Sequence, residues 1–252
     1  MKKAIIFASY IPTKDKMYIG EEFLNVFNEF YSDYDLYVGV NPSCQEWIDL
    51  LNSKLIKYKI TEEKFVVSSD VSAYQSALKL LKESNNEYEL YTFAHTKGVT
   101  SNAHNFRKYV FDNFLLKNKE IERIFKNDST VGLFSLWVTK CSTKGSIQQS
   151  LDVLLDYGKC KNTDTMTQYT FFTMKGEVLN KFIKEVKSIF WESKITDIKY
   201  PYHSYTLVNN IHIWDFNSPI GTIEMNNDIY FFERDFPMIV ERECLKIINK
   251  IN

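Results

Sequence analysis

Lys97, Gly98 and Arg107 fall within one run, residues 87–115, EYELYTFAHTKGVTSNAHNFRKYVFDNFL. There an apolar strand pattern ends in His95-Thr96-Lys97-Gly98, and a polar loop leads into a helix pattern that carries the arginine. Lysine offers a compact positive charge, glycine lets a backbone approach closely, and arginine presents a planar fork of donors. Together they suit a diphosphate. The competing reading is a solvated turn followed by ordinary helix charges. Arginine is scarce in this chain: Arg107, Arg123, Arg234 and Arg242 are four of 31 basic residues, so each position is informative.

Hydrophobic periodicity names the elements that must hold these groups. Residues 3–8 are a short apolar run that opens a strand, and residues 21–30 place Phe23, Leu24, Phe27 and Phe30 on one helical face. The pattern continues with a strand at 35–40, a short helix at 44–51 and a strand at 55–60. Next come a helix at 72–82 with its N-cap at Ser69 or Asp70, and a strand at 89–94. Helices at 105–117 and 120–126 precede a strand at 131–138. Strands alternating with helices predict an α/β fold with a mainly parallel sheet. Ligands of such sheets bind beyond the carboxyl ends of the strands, which brings Ser9-Tyr10, residues 67–71 and residues 95–101 to one edge. The second half reads as a helix at 146–156, a strand at 168–174, a helix at 177–190, a polar aromatic-rich stretch at 200–222 and a closing helix at 237–251. Pro237 suits the first turn of that last helix.

Composition bounds the function. A chain of 252 residues that is 44% apolar and 25% charged is an ordinary globular protein, which excludes a disordered chain, a fibre and a coiled-coil rod. We expect one domain over residues 1–252, with a ligand-binding half to residue 140 and a less regular half beyond it. A net charge of -1 supplies no field for nucleic acid or an anionic membrane. The N-terminal apolar run is too short for a signal peptide, and no stretch approaches a membrane span, so a cytoplasmic protein without a transmembrane segment is expected. Cys44, Cys141, Cys160 and Cys244 show neither metal-ligand nor disulfide spacing and read as reduced thiols.

The run from Ser68 through Ser101, followed by FRKYVFDNFLLKNKEIERIFKNDSTVGLFS, resembles the rhamnan-synthesis F family and related polysaccharide glycosyltransferases. Ser69-Asp70 stands at the family's acidic element, His95-Thr96-Lys97 at its "HTK", and Phe106-Arg107 where the family has Trp-Arg. Gly132-Leu133-Phe134 matches its following strand. More loosely, residues 170–175 (TFFTMK) resemble its "GTMFW" strand and Phe232-Glu233-Arg234 its late "LER".

The resemblance implies a GT-A-like glycosyltransferase, a hexosyl- or pentosyltransferase that moves a sugar from a nucleotide-sugar donor to a glycan or lipid-linked glycan acceptor. It implies a nucleotide-sugar site of Ser9, Tyr10, Asp70, Tyr74, His95, Thr96, Lys97, Gly98 and Arg107. Many GT-A enzymes hold a divalent metal with a DxD motif, whereas here the literal Asp33-Tyr34-Asp35 precedes a strand and reads as a solvated turn on the opposite edge. Two routes remain. His95 and Asp70 bind Mn2+ or Mg2+, or Lys97 and Arg107 replace the metal, the reading preferred here, with no metal assigned. Inversion also needs a base near the acceptor hydroxyl, for which Asp164, Asp215, Glu233 and Asp235 are the candidates, Glu233 and Asp235 first and Asp164 second. Asp70 equally serves as an N-cap and Tyr10 as a cover for the core edge, and His104 either assists phosphate binding or, the preferred reading, is a lone surface histidine. His203, His212 and Trp214 belong to an aromatic-rich stretch and are given no metal. A lipid-linked acceptor implies work at the cytoplasmic membrane face, with recruitment by a partner, and the alternative function is a non-catalytic glycan-binding or assembly protein on the same fold. A nucleotidyltransferase ranks last, for want of a Gly-rich phosphate loop and paired acids.

Overall fold

A computed structural model describes residues 1–61, 70–97, 99, 103–144, 165–167, 169–192, 204–208, 211–215, 236–243 and 245–249. The first strand, β1 (Lys3–Ser9), is buried along its whole length. Its alternating side chains explain why: Ala4, Ile6 and Ala8 enter one core, while Ile5 and Phe7 enter another. Successive strand residues face opposite sides of a sheet, so a strand that is apolar at every position must be covered by two layers.

The covering layers are helical. On one side lie α1 (Met17–Phe30), α2 (Gln45–Ser53), α4 (His104–Asn113) and α5 (Asn118–Asn127), which contribute Phe23, Phe27, Trp47, Val110 and Ile121 to the core. On the other lie α3 (Asp70–Ser84), α6 (Gly176–Glu185) and α8 (Phe236–Arg242), which contribute Ala73, Ala77, Leu179, Phe182 and Ile239. A short α7 (Ser188–Glu192) follows α6.

The main sheet has seven strands in the order β11-β5-β8-β4-β1-β2-β3. They are β2 (Tyr34–Val40), β3 (Lys57–Ile60), β4 (Leu90–His95), β5 (Val131–Ser135), β8 (Phe172–Lys175) and β11 (Lys246–Ile248) around β1. All pairings are parallel except those of β8, which runs antiparallel to both β4 and β5. The expected α/β class with a mainly parallel sheet is the one observed. The chain moves outward from β1 through β2 to β3, then returns to place β4 on the other flank of β1. That reversal falls between the carboxyl ends of β1 and β4, the crevice position at which open α/β sheets bind ligands.

Four expectations are corrected. The strand expected at 131–138 is two: β5 stays in the main sheet, and β6 (Val138–Lys144) joins a second sheet of order β7-β6-β10-β9. The aromatic-rich stretch at 200–222 contains β9 (Ser204–Val208) and β10 (Ile211–Asp215), an antiparallel pair, and β10 pairs in parallel with β6. β7 (Thr165–Thr167) completes that sheet. The closing helix ends at Arg242, and β11 then pairs with β5, because an unpaired edge strand offers a ladder of free backbone groups to it. The helix expected at 105–117 stops at Asn113 and continues as a 3-10 turn, Leu115–Lys117. The helix expected at 146–156 lies outside the described residues.

Gly39 sets how closely α3 approaches the sheet. A Cβ there would lie 1.6 Å from the Ala73 carbonyl oxygen, so no other residue lets this helix rest on β2. The start of α3 thereby reaches the crevice.

Candidate functional site

The crevice is closed at its base by Thr96. Its backbone N–H donates to Ala8 O at 3.1 Å, its hydroxyl donates to Tyr10 O at 3.2 Å, and Tyr10 N–H donates to the Thr96 hydroxyl oxygen at 2.9 Å. The carboxyl ends of β1 and β4 are therefore held by a side chain where the backbone ladder runs out. Ser9 is buried beside this staple, and its hydroxyl has no hydrogen-bond partner among the described residues.

His95 ends β4 and is 3% exposed. Its Nδ1 hydrogen-bonds Asp70 Oδ2, the first residue of α3. Tyr74, one turn along α3, stacks on the imidazole at 6.4 Å between centroids, and Phe171 meets it edge-on at 4.6 Å. The Asp70 carboxyl sits below its ordinary range: burial opposes ionisation, but the imidazole of His95 and the charge of Lys97 outweigh it. With Asp70 accepting at Nδ1, the imidazole ring is oriented and its Nε2 is left buried without a partner among the described residues.

His95 Nδ1 and Asp70 Oδ2, the pair expected as metal ligands in one of the two routes, are engaged with each other. The two side chains face each other, and no group of three His, Cys, Asp or Glu side chains converges among the described residues.

Lys97 follows the staple. Its Nζ lies over the rings of Tyr169 and Phe106, 5.0 and 5.6 Å from their centroids. Arg107 is 2% exposed and is held from three sides. Its Nε donates to Glu22 Oε2 of α1 at 2.6 Å, its Nη1 to the Lys97 carbonyl oxygen at 3.4 Å, and its Nη2 lies 3.4 Å from His104 Nδ1. The guanidinium also lies over the Tyr18 ring at 5.7 Å. His104, expected as a lone surface histidine, is thus a neighbour of the arginine.

Of the expected nucleotide-sugar residues, Ser9, Tyr10, Asp70, Tyr74, His95, Thr96 and Lys97 meet around the crevice, and Arg107 stands behind Lys97. Gly98, Asp164, Glu233 and Asp235 lie outside the described residues. Asp33 and Asp35 are at the far edge and exposed, with Asp33 in a turn, as expected, and both have partners. Asp33 pairs with the buried Lys3 ammonium, and Asp35 accepts from the Tyr88 hydroxyl. Sequence reading missed Glu22, Phe171, Trp137 and Tyr169. The Trp at the end of the strand at 131–138 was the available signal for one of them.

The sequence matches the family described as rhamnan synthesis protein F over residues 16–142. Among solved structures, the chain is similar to TarS 1–349 of S. aureus at 12% identity and a TM-score of 0.38, covering 85% of this chain and 60% of that one. For the same TarS fragment in complex with UDP-GlcNAc the values are 11% and 0.41, over 95% and 66% of the two chains. For CMP:2-keto-3-deoxy-manno-octonic acid synthetase in complex with CTP they are 7% and 0.35, over 85% and 90%. The chain thus spans about three fifths of the first TarS structure. No curated protein matches it. The family match takes in just over half of the 252 residues, including β4, α4 and every described site residue from Asp70 to Arg107, and the chain belongs to the rhamnan synthesis protein F family.

Proposed function

We propose that the chain is a GT-A-like, nucleotide-sugar-dependent glycosyltransferase acting on a polysaccharide precursor. The observation that carries this reading is the convergence of Tyr10, Asp70, His95, Thr96 and Lys97 at the β1/β4 crevice of a chain whose family serves rhamnan synthesis. Tyr10 borders the nucleoside, and Lys97 faces the diphosphate. Arg107 acts through Lys97, because its guanidinium is engaged by Glu22 and grips the Lys97 carbonyl.

In transfer, the acceptor hydroxyl oxygen bonds to the anomeric carbon as the bond from that carbon to the β-phosphate oxygen breaks. The electron pair leaves with the nucleoside diphosphate. A fixed cation stabilises the charge that develops there, a role Lys97 performs with no reorganisation. The acceptor proton passes to a carboxylate, for which Glu233, Asp235 and Asp164 remain the candidates.

A thermal-shift screen of UDP-, GDP-, dTDP- and CMP-sugars, each with manganese and with EDTA, tests the reading, since a ligand of the folded state raises its stability. The expected result is a shift with one nucleotide class that survives EDTA and is lost in Lys97→Ala. No shift with any donor would favour a non-catalytic glycan-binding protein instead.

A further inference from the structure

Beside Lys97, four aromatic side chains from three separate parts of the chain form a continuous wall. Phe106 and Tyr109 share one face of α4, Trp137 follows the carboxyl end of β5, and Tyr169 precedes β8. Phe106 stacks on Trp137 at 5.0 Å and 15° between planes, and Tyr169 meets Phe106 at 4.7 Å and Trp137 at 5.3 Å. Tyr109 extends the wall from Trp137 at 5.4 Å. Phe106 and Trp137 rest on the core, whereas Tyr109 and Tyr169 are 48% and 38% exposed.

Three features separate this wall from ordinary core edge. It is continuous with the crevice, because Lys97 Nζ lies over two of its rings. That ammonium forms no ion pair among the described residues, so a positive charge stands at the inner end of an apolar surface. Finally, Tyr169 and Thr170 both take left-handed backbone conformations, with φ of 67° and 43°. Such conformations are unfavourable for tyrosine and for a β-branched residue and persist only where surrounding contacts impose them. Here the Tyr74 hydroxyl donates to Thr170 O and the Ser135 hydroxyl to Phe171 O, which holds the Tyr169 ring against Phe106.

We propose that this wall is an acceptor subsite that binds a neutral pyranose oligosaccharide. The proposal rests on the donor reading above, and deepens it. An anion at Lys97 places the sugar attached to it at the inner rings. The wall continues past that point through Trp137 to Tyr109, further than one ring, so its outer part receives a second saccharide. A pyranose turns a C–H face toward such rings and its hydroxyls outward, and tyrosine and tryptophan present an apolar face with a polar handle that suits both. Aromatic surface of this kind, exposed beside a charged crevice, marks a binding surface.

The test titrates a rhamnose oligosaccharide of four residues into the full chain, reading tryptophan fluorescence and saturation-transfer NMR. Tyr109→Ala and Tyr169→Asn are compared with the natural protein, asparagine being chosen because it tolerates a left-handed φ. Thermal melts confirm that both variants fold. Each variant is expected to bind about three- to tenfold more weakly, the range one aromatic contact supports. Absence of binding at millimolar oligosaccharide, or unchanged affinity in both variants, would overturn the proposal. So would concentration-dependent self-association that Tyr109→Ala abolishes while oligosaccharide binding is absent. The nucleotide-sugar shifts are recorded on the same samples. A shift without oligosaccharide binding sinks the wall and leaves the donor site standing, whereas oligosaccharide binding lost in the variants with no nucleotide shift sinks the donor reading and leaves the wall as a saccharide-binding surface that is not an acceptor subsite.

Discussion

Asp70 and His95 are 25 residues apart, and their hydrogen bond ties the first turn of α3 to the last residue of β4 at the mouth of the crevice. Asp70→Ala leaves the buried Nδ1 without its acceptor, and a loss of about 1–2 kcal/mol is expected in urea unfolding, less for Asp70→Asn, whose amide oxygen still accepts. The pH dependence follows from the depressed carboxyl. This contribution is present above the unfolded value near 3.8 and is lost as pH falls through the lower folded value, so the difference between the natural protein and Asp70→Ala shrinks below about pH 4.

Arg107 and Glu22 make a largely buried pair, with the arginine side chain 3% exposed and the glutamate 36%. Glu22→Ala strands the guanidinium, and a loss of about 3 kcal/mol is expected. Arg107→Met combined with Glu22→Leu is expected to recover most of it, since an apolar pair needs no charge compensation. Denaturant midpoints of Glu22→Leu, Arg107→Met and their double form a cycle. Equal, small losses in every variant would show that the pair does not anchor α4 to α1.

Thr96 donates and accepts across the strand ends through one hydroxyl. Thr96→Val keeps the shape but leaves the Tyr10 N–H without its acceptor, so it is expected to cost about 1–2 kcal/mol, while Thr96→Ser is expected to be close to natural. Under the donor reading, the valine variant also loses nucleotide-sugar affinity. If Thr96→Val matched Thr96→Ser in both stability and ligand shift, the staple would have no role.

At the far edge, the 5%-exposed Lys3 is paired with both Asp33 and Glu122. Burial opposes each charge, most strongly for Lys3 and Glu122, yet the mutual hydrogen bonds prevail, raising Lys3 and lowering both carboxyls. Stability from the two carboxyls is present above their unfolded values and is lost as pH falls below about 4. Lys3→Met is expected to flatten that acid slope in denaturant titrations. An unchanged slope would remove the network from the acid response.

Gly39→Ala places a methyl group into the Ala73 carbonyl. Because the obstacle is backbone, α3 must move, and a loss of about 3 kcal/mol or more is expected. Asp70 then withdraws from His95, so any nucleotide-sugar shift is expected to fall with it. A variant as stable as the natural protein would mean that α3 slides freely on β2.

The parts of the site that could be read in advance were those at strand ends. His95-Thr96-Lys97 closes an apolar run, and Ser9-Tyr10 closes another, so the α/β alternation alone brings them to one edge. Arg107 illustrates the opposite case. Its scarcity marked it as informative, but its principal partner, Glu22, lies 85 residues away on α1 and has no local signature. Tyr169 and Trp137 likewise gain meaning only when β8 enters the sheet between β4 and β5.

The order of elements, the burial of β1 on both faces and the identity of the crevice edge were written in the periodicity of apolar residues, because a period of two or of 3.6 is a property of adjacent residues. The antiparallel insertion of β8, the capture of residues 246–248 as an edge strand, the Lys3 network and the aromatic wall came from tertiary structure alone. Each joins segments far apart in the chain, and such pairings are chosen by the summed packing of the whole domain, for which no local spacing stands as a sign.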